Sequence, residues 1–286
     1  MIYDIIHYDF LQFAFLTGLI IGIIAPLLGV FIVVRRLSLI ADALSHVTLS
    51  GIALSLLLSK NINALANLNP LYIGMGFSVM GSLFIERLRG MYKHYQELAI
   101  PIILSAGIGL GVIFISLAKG FTTDLFNYLF GSVSAVSQQD LLIVAVIAII
   151  VIGTVFLLYK ELFLLSFDEE HAKTAGLKVN TIHFIFIVLV ALVIAASMRV
   201  VGILLVSSLM TLPVAAAMKV AKSFKKLIFT SILFAEISVF GGLVSSYYLN
   251  LAPGGSIVVL SILILLVTIF YRKIQVGKAW KGEIVK

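Results

Sequence analysis

The sequence predicts an all-α polytopic membrane protein with about nine transmembrane helices, and three observations carry that prediction. Hydrophobic residues fill 62% of the 286 positions, charged residues only 12%, and the mean hydropathy is +1.19. One membrane span takes ~20 mostly apolar residues, so this content is enough for about nine. Soluble domains carry about 25% charged residues, and a single water-bounded core of this size would leave much of the apolar surface exposed. A soluble enzyme, a nucleic-acid-binding domain and a disordered chain are thereby excluded. The net charge of +7 is then a topology signal, because Lys and Arg stay on the cytoplasmic side of a membrane. With no cysteine, the chain has neither disulfides nor thiolate ligands.

In chain order the apolar runs cover 11–34, 43–59, 71–86, 98–118, 140–159, 181–198, 200–218, 227–248 and 256–271. They are continuously apolar rather than alternating, which selects helices over a β-barrel. Polar punctuation separates them, as in Asn67-Leu68-Asn69-Pro70 and the stretch Asn250 to Gly255. Asp4 and Asp9 stand where a cleaved signal would be basic, so the first run is expected to be retained. With the N-terminus outside and the C-terminus inside, every Lys and Arg falls on the inner side, Lys93 and Lys286 included, except Lys60, Lys119 and Arg199. Two runs meet at Met198-Arg199-Val200 with almost no loop. Either a tight outer turn joins them, or there are eight full spans and one broken or re-entrant segment, which protein or a water-filled cavity must cover.

Glycines recur at helix spacing: 18 and 22; 74, 76 and 81; 107, 109 and 111; 241 and 242. In apolar runs these read as sites of close helix approach. Gly107-Ile108-Gly109-Leu110-Gly111 lacks the spacing of a dinucleotide loop, and no G-x-x-x-x-G-K-[ST] occurs, so the chain has no P-loop of its own.

Ionisable groups within spans are costly and mark function. Asp42 and His46 open the second span, Glu236 lies in the middle of the eighth, His183 begins the sixth, and Arg199 sits at the doubtful turn. Asp42 and His46 are four residues apart, which places carboxylate and imidazole on one helical face. That pair is a two-armed clamp for a divalent first-row metal; a local ion pair or a polar kink between helices is the other reading. Two ligands do not complete a zinc site, which suits cargo that must be released, and a second copy of the chain is one source of more. Glu236 reads as a second station for an ion or as an acid bonded to Ser238 or Tyr247. His183 is expected at the interface and His94 and His171 in solvent; His7, outside with Asp4 and Asp9, reads as part of a bare terminal segment or as a group that helps receive an ion. In the loop at 166–178, Asp168, Glu169 and Glu170 precede Lys173 and Gly176, a charge order that suits the dipole of a short helix with a glycine stop.

These residues resemble the permease subunit of zinc and manganese ABC importers over nearly the whole chain. Four motifs carry the resemblance in order: Gly29 to Leu39 with Asp42-Ala43-Leu44-Ser45-His46 and Gly51-Ile52-Ala53-Leu54; Asp168-Glu169-Glu170 with Ala172 and Gly176-Leu177; Arg199 to Val206 leading to Leu212-Pro213; and Gly242-Leu243 with Ser246-Tyr247-Tyr248 and Pro253-Gly254-Gly255. Ala41 and Asn250 depart from it, where family members carry Gly and often Asp. The resemblance implies a type II-like ABC importer permease of the bacterial cytoplasmic membrane, one transmembrane domain over 1–286, paired as a homodimer about the path. Cytosolic ABC ATPase subunits would dock on Asp168, Glu169, Glu170, Ala172, Gly176 and Leu177, and an extracytoplasmic metal-binding protein would deliver the ion. It also implies that Asp42 and His46 contact the metal, with no permanently bound cofactor and with ATP hydrolysed by the partner. Histidine suits zinc and carboxylate suits manganese, which leaves both as cargo.

Three other classes compete. A siderophore or cobalamin ABC permease needs a wide cavity and no Asp/His face. A secondary metal transporter is expected to show symmetry between its halves, and none is visible. An intramembrane metalloprotease needs a ligand set such as H-E-x-x-H, which is absent.

Overall fold

In the computed structural model, which describes residues 7–61, 68–92, 94–118, 120 and 123–283, the described chain is helical throughout. Asp4, Asn67, Lys93, Lys119 and Lys286 lie outside the described residues. The helices are α1 (Asp9–Val34), α2 (Leu39–Asn61), α3 (Pro70–Met91), α4 (Ala99–Leu117), α5 (Thr123–Phe130), α6 (Gln138–Leu157), α7 (Tyr159–Phe167), α8 (Glu169–Thr174), α9 (Val179–Val201), α10 (Ile203–Ala217), α11 (Phe224–Leu249) and α12 (Pro253–Glu283). Eight of them are long and apolar enough to cross a membrane: α1, α2, α3, α4 with the turn before it, α6, α9, α11 and α12.

Burial sorts these eight into an inner and an outer set. The apolar windows of α1, α2 and α9 are 67%, 72% and 72% buried, against 22–39% for the others. Thus α2, which carries Asp42 and His46, belongs to the centre of the bundle, packed on α3, α4, α9 and α10. The outer helices turn large apolar side chains outward, among them Val112, Ile149, Phe156 and Val267, as lipid-facing surfaces do.

The seventh apolar run, 200–218, becomes α10, with 15 residues. At 1.5 Å per residue it spans about 22 Å, short of a ~30 Å hydrocarbon core. Its start explains its length. α9 and α10 form a hairpin whose turn, Val200 to Ile203, is buried. Gly202 makes the turn at φ +86°, ψ 149°, a backbone open to glycine and strained for other residues. Its N–H donates to Met198 O at 2.9 Å, and Ser132 N–H donates to Arg199 O at 3.0 Å. The backbone of 129–131 lies against Gly202, and that of Val201 against Gly254. A tight turn therefore joins the two runs, recessed beneath other segments rather than at the surface, and protein covers its freed backbone groups.

The glycine pattern resolves into specific approaches. A Cβ on Gly107 would stand 2.8 Å from Val47 N, on Gly81 2.9 Å from a Val47 methyl, and on Gly74 2.8 Å from Ile52. Gly18 and Gly22 bring α1 onto α11, and Gly241 and Gly242 bring α11 onto α12. Gly76 and Gly109 meet no neighbour within 4 Å. Asn250 ends α11 in the left-handed conformation, at φ 52°, which Asn tolerates better than most side chains.

Candidate metal-transit site

The second span starts earlier than its apolar run. α2 begins at Leu39, so Asp42 lies in its first turn and His46 one turn further on. The neighbouring hydroxyls are satisfied by their own helix: Ser45 donates to Ala41 O at 2.7 Å, Thr48 to Leu44 O at 2.6 Å, and Ser50 to Val47 O at 2.7 Å. This back-bonding keeps buried hydroxyls in an apolar setting without outside partners. Asp42 and His46 differ. Both are half-buried, and neither has a hydrogen bond or salt bridge to a described residue. The carboxylate acts electrostatically on the imidazole, as one face and one turn of separation require.

α4 presses onto this turn through Gly107, whose missing side chain leaves room for the His46–Val47 backbone. Among the described residues no group of three or more His, Cys, Asp or Glu converges. Within one chain the pair therefore offers two protein ligands and no closed cage.

Glu236 is not part of that arrangement. It sits on α11, which packs on α1, α10 and α12; α2 packs on α3, α4, α9 and α10, so the two helices share only α10 as a neighbour. Its Oε1 is buried against Gly22 of α1 and has no hydrogen-bond partner among the described residues. The expected bond to Ser238 is not made, since that hydroxyl donates to Phe234 O at 2.9 Å.

The loop at 166–178 forms α8. Asp168 caps it, accepting from His171 N–H at 2.8 Å, and Lys173 donates to Glu169 at 2.7 Å. That bond holds the Glu169 carboxyl below the usual range. Ala172 is buried, and Gly176 ends the turn at φ +83°. His94 and His171 are exposed, as expected, and so is His7.

His183, near the start of α9, is 3% exposed, buried within the protein with Nε2 3.9 Å from Glu86 Oε2. Two polar clusters escape the sequence reading. Arg199 joins Asp140, Tyr128 and the Ala135 carbonyl at 2.6–3.1 Å. Arg35, Glu86, Arg89 and His183 gather near α8. Neither Glu86 nor Arg89 stands out in the sequence; their i, i+3 spacing at the end of α3 is the available signal.

The ABC 3 transport family matches residues 7–272 of this chain. The manganese transport system membrane protein MntC of Listeria monocytogenes is 35% identical over 272 residues, covering 95% of this chain and 94% of that protein. The high-affinity zinc uptake system membrane protein ZnuB of Haemophilus influenzae is 30% identical, covering 91% and 97%. Among solved structures, PsaBC from Streptococcus pneumoniae in complex with Fab superposes with a TM-score of 0.80 at 33% identity, over 94% of this chain and 95% of that one. The likeness extends along the whole bundle and agrees with the four sequence motifs: the chain belongs to the ABC 3 transport family.

Proposed function

We propose that the chain is the permease subunit of an ATP-driven importer for a divalent transition metal, zinc or manganese, and that Asp42 and His46 contact the ion as it passes. The supporting observation is the state of these two side chains. They lie on one of the most enclosed helices, half-buried and without hydrogen-bond partners among the described residues, while Ser45, Thr48 and Ser50 beside them are bonded to their own helix. Relatives named for manganese and for zinc support the cargo class. A carboxylate and an imidazole replace part of an ion's water shell and hold it incompletely, so that it can leave. A second copy, related by a two-fold axis, supplies the matching pair.

In this reading the whole chain is one permease domain with its N-terminus outside and its C-terminus inside. α8 docks the cytosolic ATPase through Asp168, Glu169, Glu170, Ala172, Gly176 and Leu177, and an extracytoplasmic protein delivers the metal. Glu236 stands on the α1–α11 seam, outside the coordination sphere of the pair. The test is radiometal uptake in cells lacking the chromosomal copy, complemented with the chain or with Asp42→Asn/His46→Gln. Loss of zinc or manganese uptake at unchanged membrane abundance is expected; uptake at the level of the unaltered chain overturns the reading.

A further inference from the structure

Five ionisable side chains meet at the end of the bundle that carries α8. Arg35 caps α1, Glu86 and Arg89 end α3, His183 lies near the start of α9, and Glu169 opens α8. Glu169 is bonded to Lys173 at 2.7 Å and Arg89 Nη2 donates to Gln96 at 3.1 Å, yet pairing among the five themselves is loose. Arg89 Nη1 and His183 Nε2 stand 3.8 Å and 3.9 Å from Glu86 Oε2. Arg35 Nη1, Arg89 Nη1, Glu86 Oε2 and both ring nitrogens of His183 are buried without a hydrogen-bond partner among the described residues. A buried polar group left unpaired costs ~1–3 kcal/mol, and more when charged, so so many at one place demand an account.

The space around them supplies one. A cavity of about 790 Å³ is bounded by Glu86, Arg89, Glu169 and His183, and a crevice of about 500 Å³ by Arg35, Leu37, Arg89 and Glu169. Glu169 and Arg89 belong to both walls, so α8 stands between two open volumes with room to shift. A divalent cation is a poor occupant, because the Arg35 and Arg89 guanidiniums would repel it. Burial, with repulsion from Arg89, holds the Arg35 pKa down to about 10, so Arg35 is cationic at neutral pH.

Arg35 is also placed to act elsewhere. Its guanidinium lies 5.6 Å from the centre of the Phe186 ring on α9, a cation–π contact. The next residue, Arg36, takes the left-handed φ of 58°, and α2 starts at Leu39 with Asp42 in its first turn. The α1–α2 connection is thus short and conformationally fixed, and it runs directly into the metal-contacting turn.

We infer that Arg35 and Arg89 are positioning residues that carry a displacement of α8 to the α1–α2 turn, and through it to Asp42 and His46. The inference rests on the reading of α8 as the ATPase-docking element. Movement of α8 into the crevice brings Glu169 onto Arg35 and Arg89, replacing loose contacts with close ion pairs. The pull on Arg35 turns the start of α2. Such switching between discrete packed arrangements is how a local contact becomes a transport step.

The experiment uses the permease with its ATPase subunits in proteoliposomes, with zinc or manganese as the probe. Co-purification of the ATPase with the unaltered permease is scored first; its absence defeats the docking reading itself. Given co-purification, Arg35→Gln and Arg89→Gln are expected to keep the ATPase bound and hydrolysing. Metal carried per ATP should fall by about fivefold or more, the low end of coupling between sites, while Arg35→Lys retains most of it. An unaltered ratio in the Arg35→Gln/Arg89→Gln double variant overturns the inference. Hydrogen exchange on the unaltered complex decides the case if the variants do not assemble: nucleotide must change protection across 35–42, and no change there overturns the inference equally.

Discussion

Arg199 reaches across from the end of α9 to Asp140 at the start of α6, Nη1 to Oδ2 in 2.6 Å, and the carboxylate it meets is 2% exposed. The same carboxylate accepts from Ser137 N–H at 2.9 Å and its other oxygen from Asn69 Nδ2 at 3.3 Å. One acid therefore closes the capping box of α6, ties in the N-cap of α3, and anchors the strand of chain just before the Gly202 turn. We predict that Asp140→Asn lowers stability by about 3–5 kcal/mol, because it strands a charged guanidinium. Thermal unfolding of the detergent-purified protein checks this. A loss under about 1 kcal/mol, the size of an exposed pair, would show that the cluster is not buried in the membrane-bound fold.

Gly29 and Gly109 form a contrasting pair. A side chain on Gly29 would run into the carbonyl of Met210 on α10, whereas one on Gly109 meets nothing within 4 Å. Backbone cannot retreat as a side chain can, so Gly29→Ala is expected to abolish folded protein or cost several kcal/mol, at least ~3 on the scale of overpacking. Gly109→Ala is expected to be neutral or to stabilise by up to ~1 kcal/mol. Monodisperse yield and melting temperature measure both.

α8 holds its shape by its ends. Asp168→Ala removes the cap and is expected to cost the helix about 1 kcal/mol, and Gly176→Val forces a β-branched residue to positive φ. Both should weaken ATPase retention on a pull-down while leaving the melting temperature of the isolated permease nearly unchanged. The Glu169–Lys173 bond adds little, since both side chains are more than a third exposed. Because the Glu169 pKa is depressed, its contribution is full above the ordinary carboxylate pKa and is lost as pH falls through the lower folded value. ATPase retention should therefore be flat from about pH 6 to 8 on account of this pair.

Glu236→Gln separates the acid on α11 from the pair on α2. The substitution removes a carboxylate with an unpartnered buried oxygen, so stability is expected to hold or rise by about 1 kcal/mol. Metal affinity at Asp42 and His46 should stay within about twofold, since α11 and α2 do not pack on each other and are linked only through α10. Equilibrium binding of manganese or zinc to the purified protein reads this directly, and a tenfold loss would put Glu236 in the same coordination sphere.

Much of this protein was legible without coordinates. The apolar runs fixed the spans because the bilayer demands some 20 residues of uninterrupted apolar chain, a local property. The Asp42/His46 face follows from helical periodicity alone, and α8 with its cap and glycine stop follows from charge order. The four motifs carried the family. Which helices lie inside was not legible, because α1, α6 and α9 are all apolar on every side and hydropathy does not separate protein from lipid.

The tertiary structure alone decided the partners of charges far apart in sequence. It put Arg199 on Asp140 across 59 positions, buried His183 beside Glu86, and set Glu236 on a helix that does not pack on α2. It also shortened the seventh run, since Gly202 turns beneath backbone contributed by 129–131 and 254. Periodicity and composition are set residue by residue along one helix, whereas the environment of an ionisable group is set by whichever helices surround it.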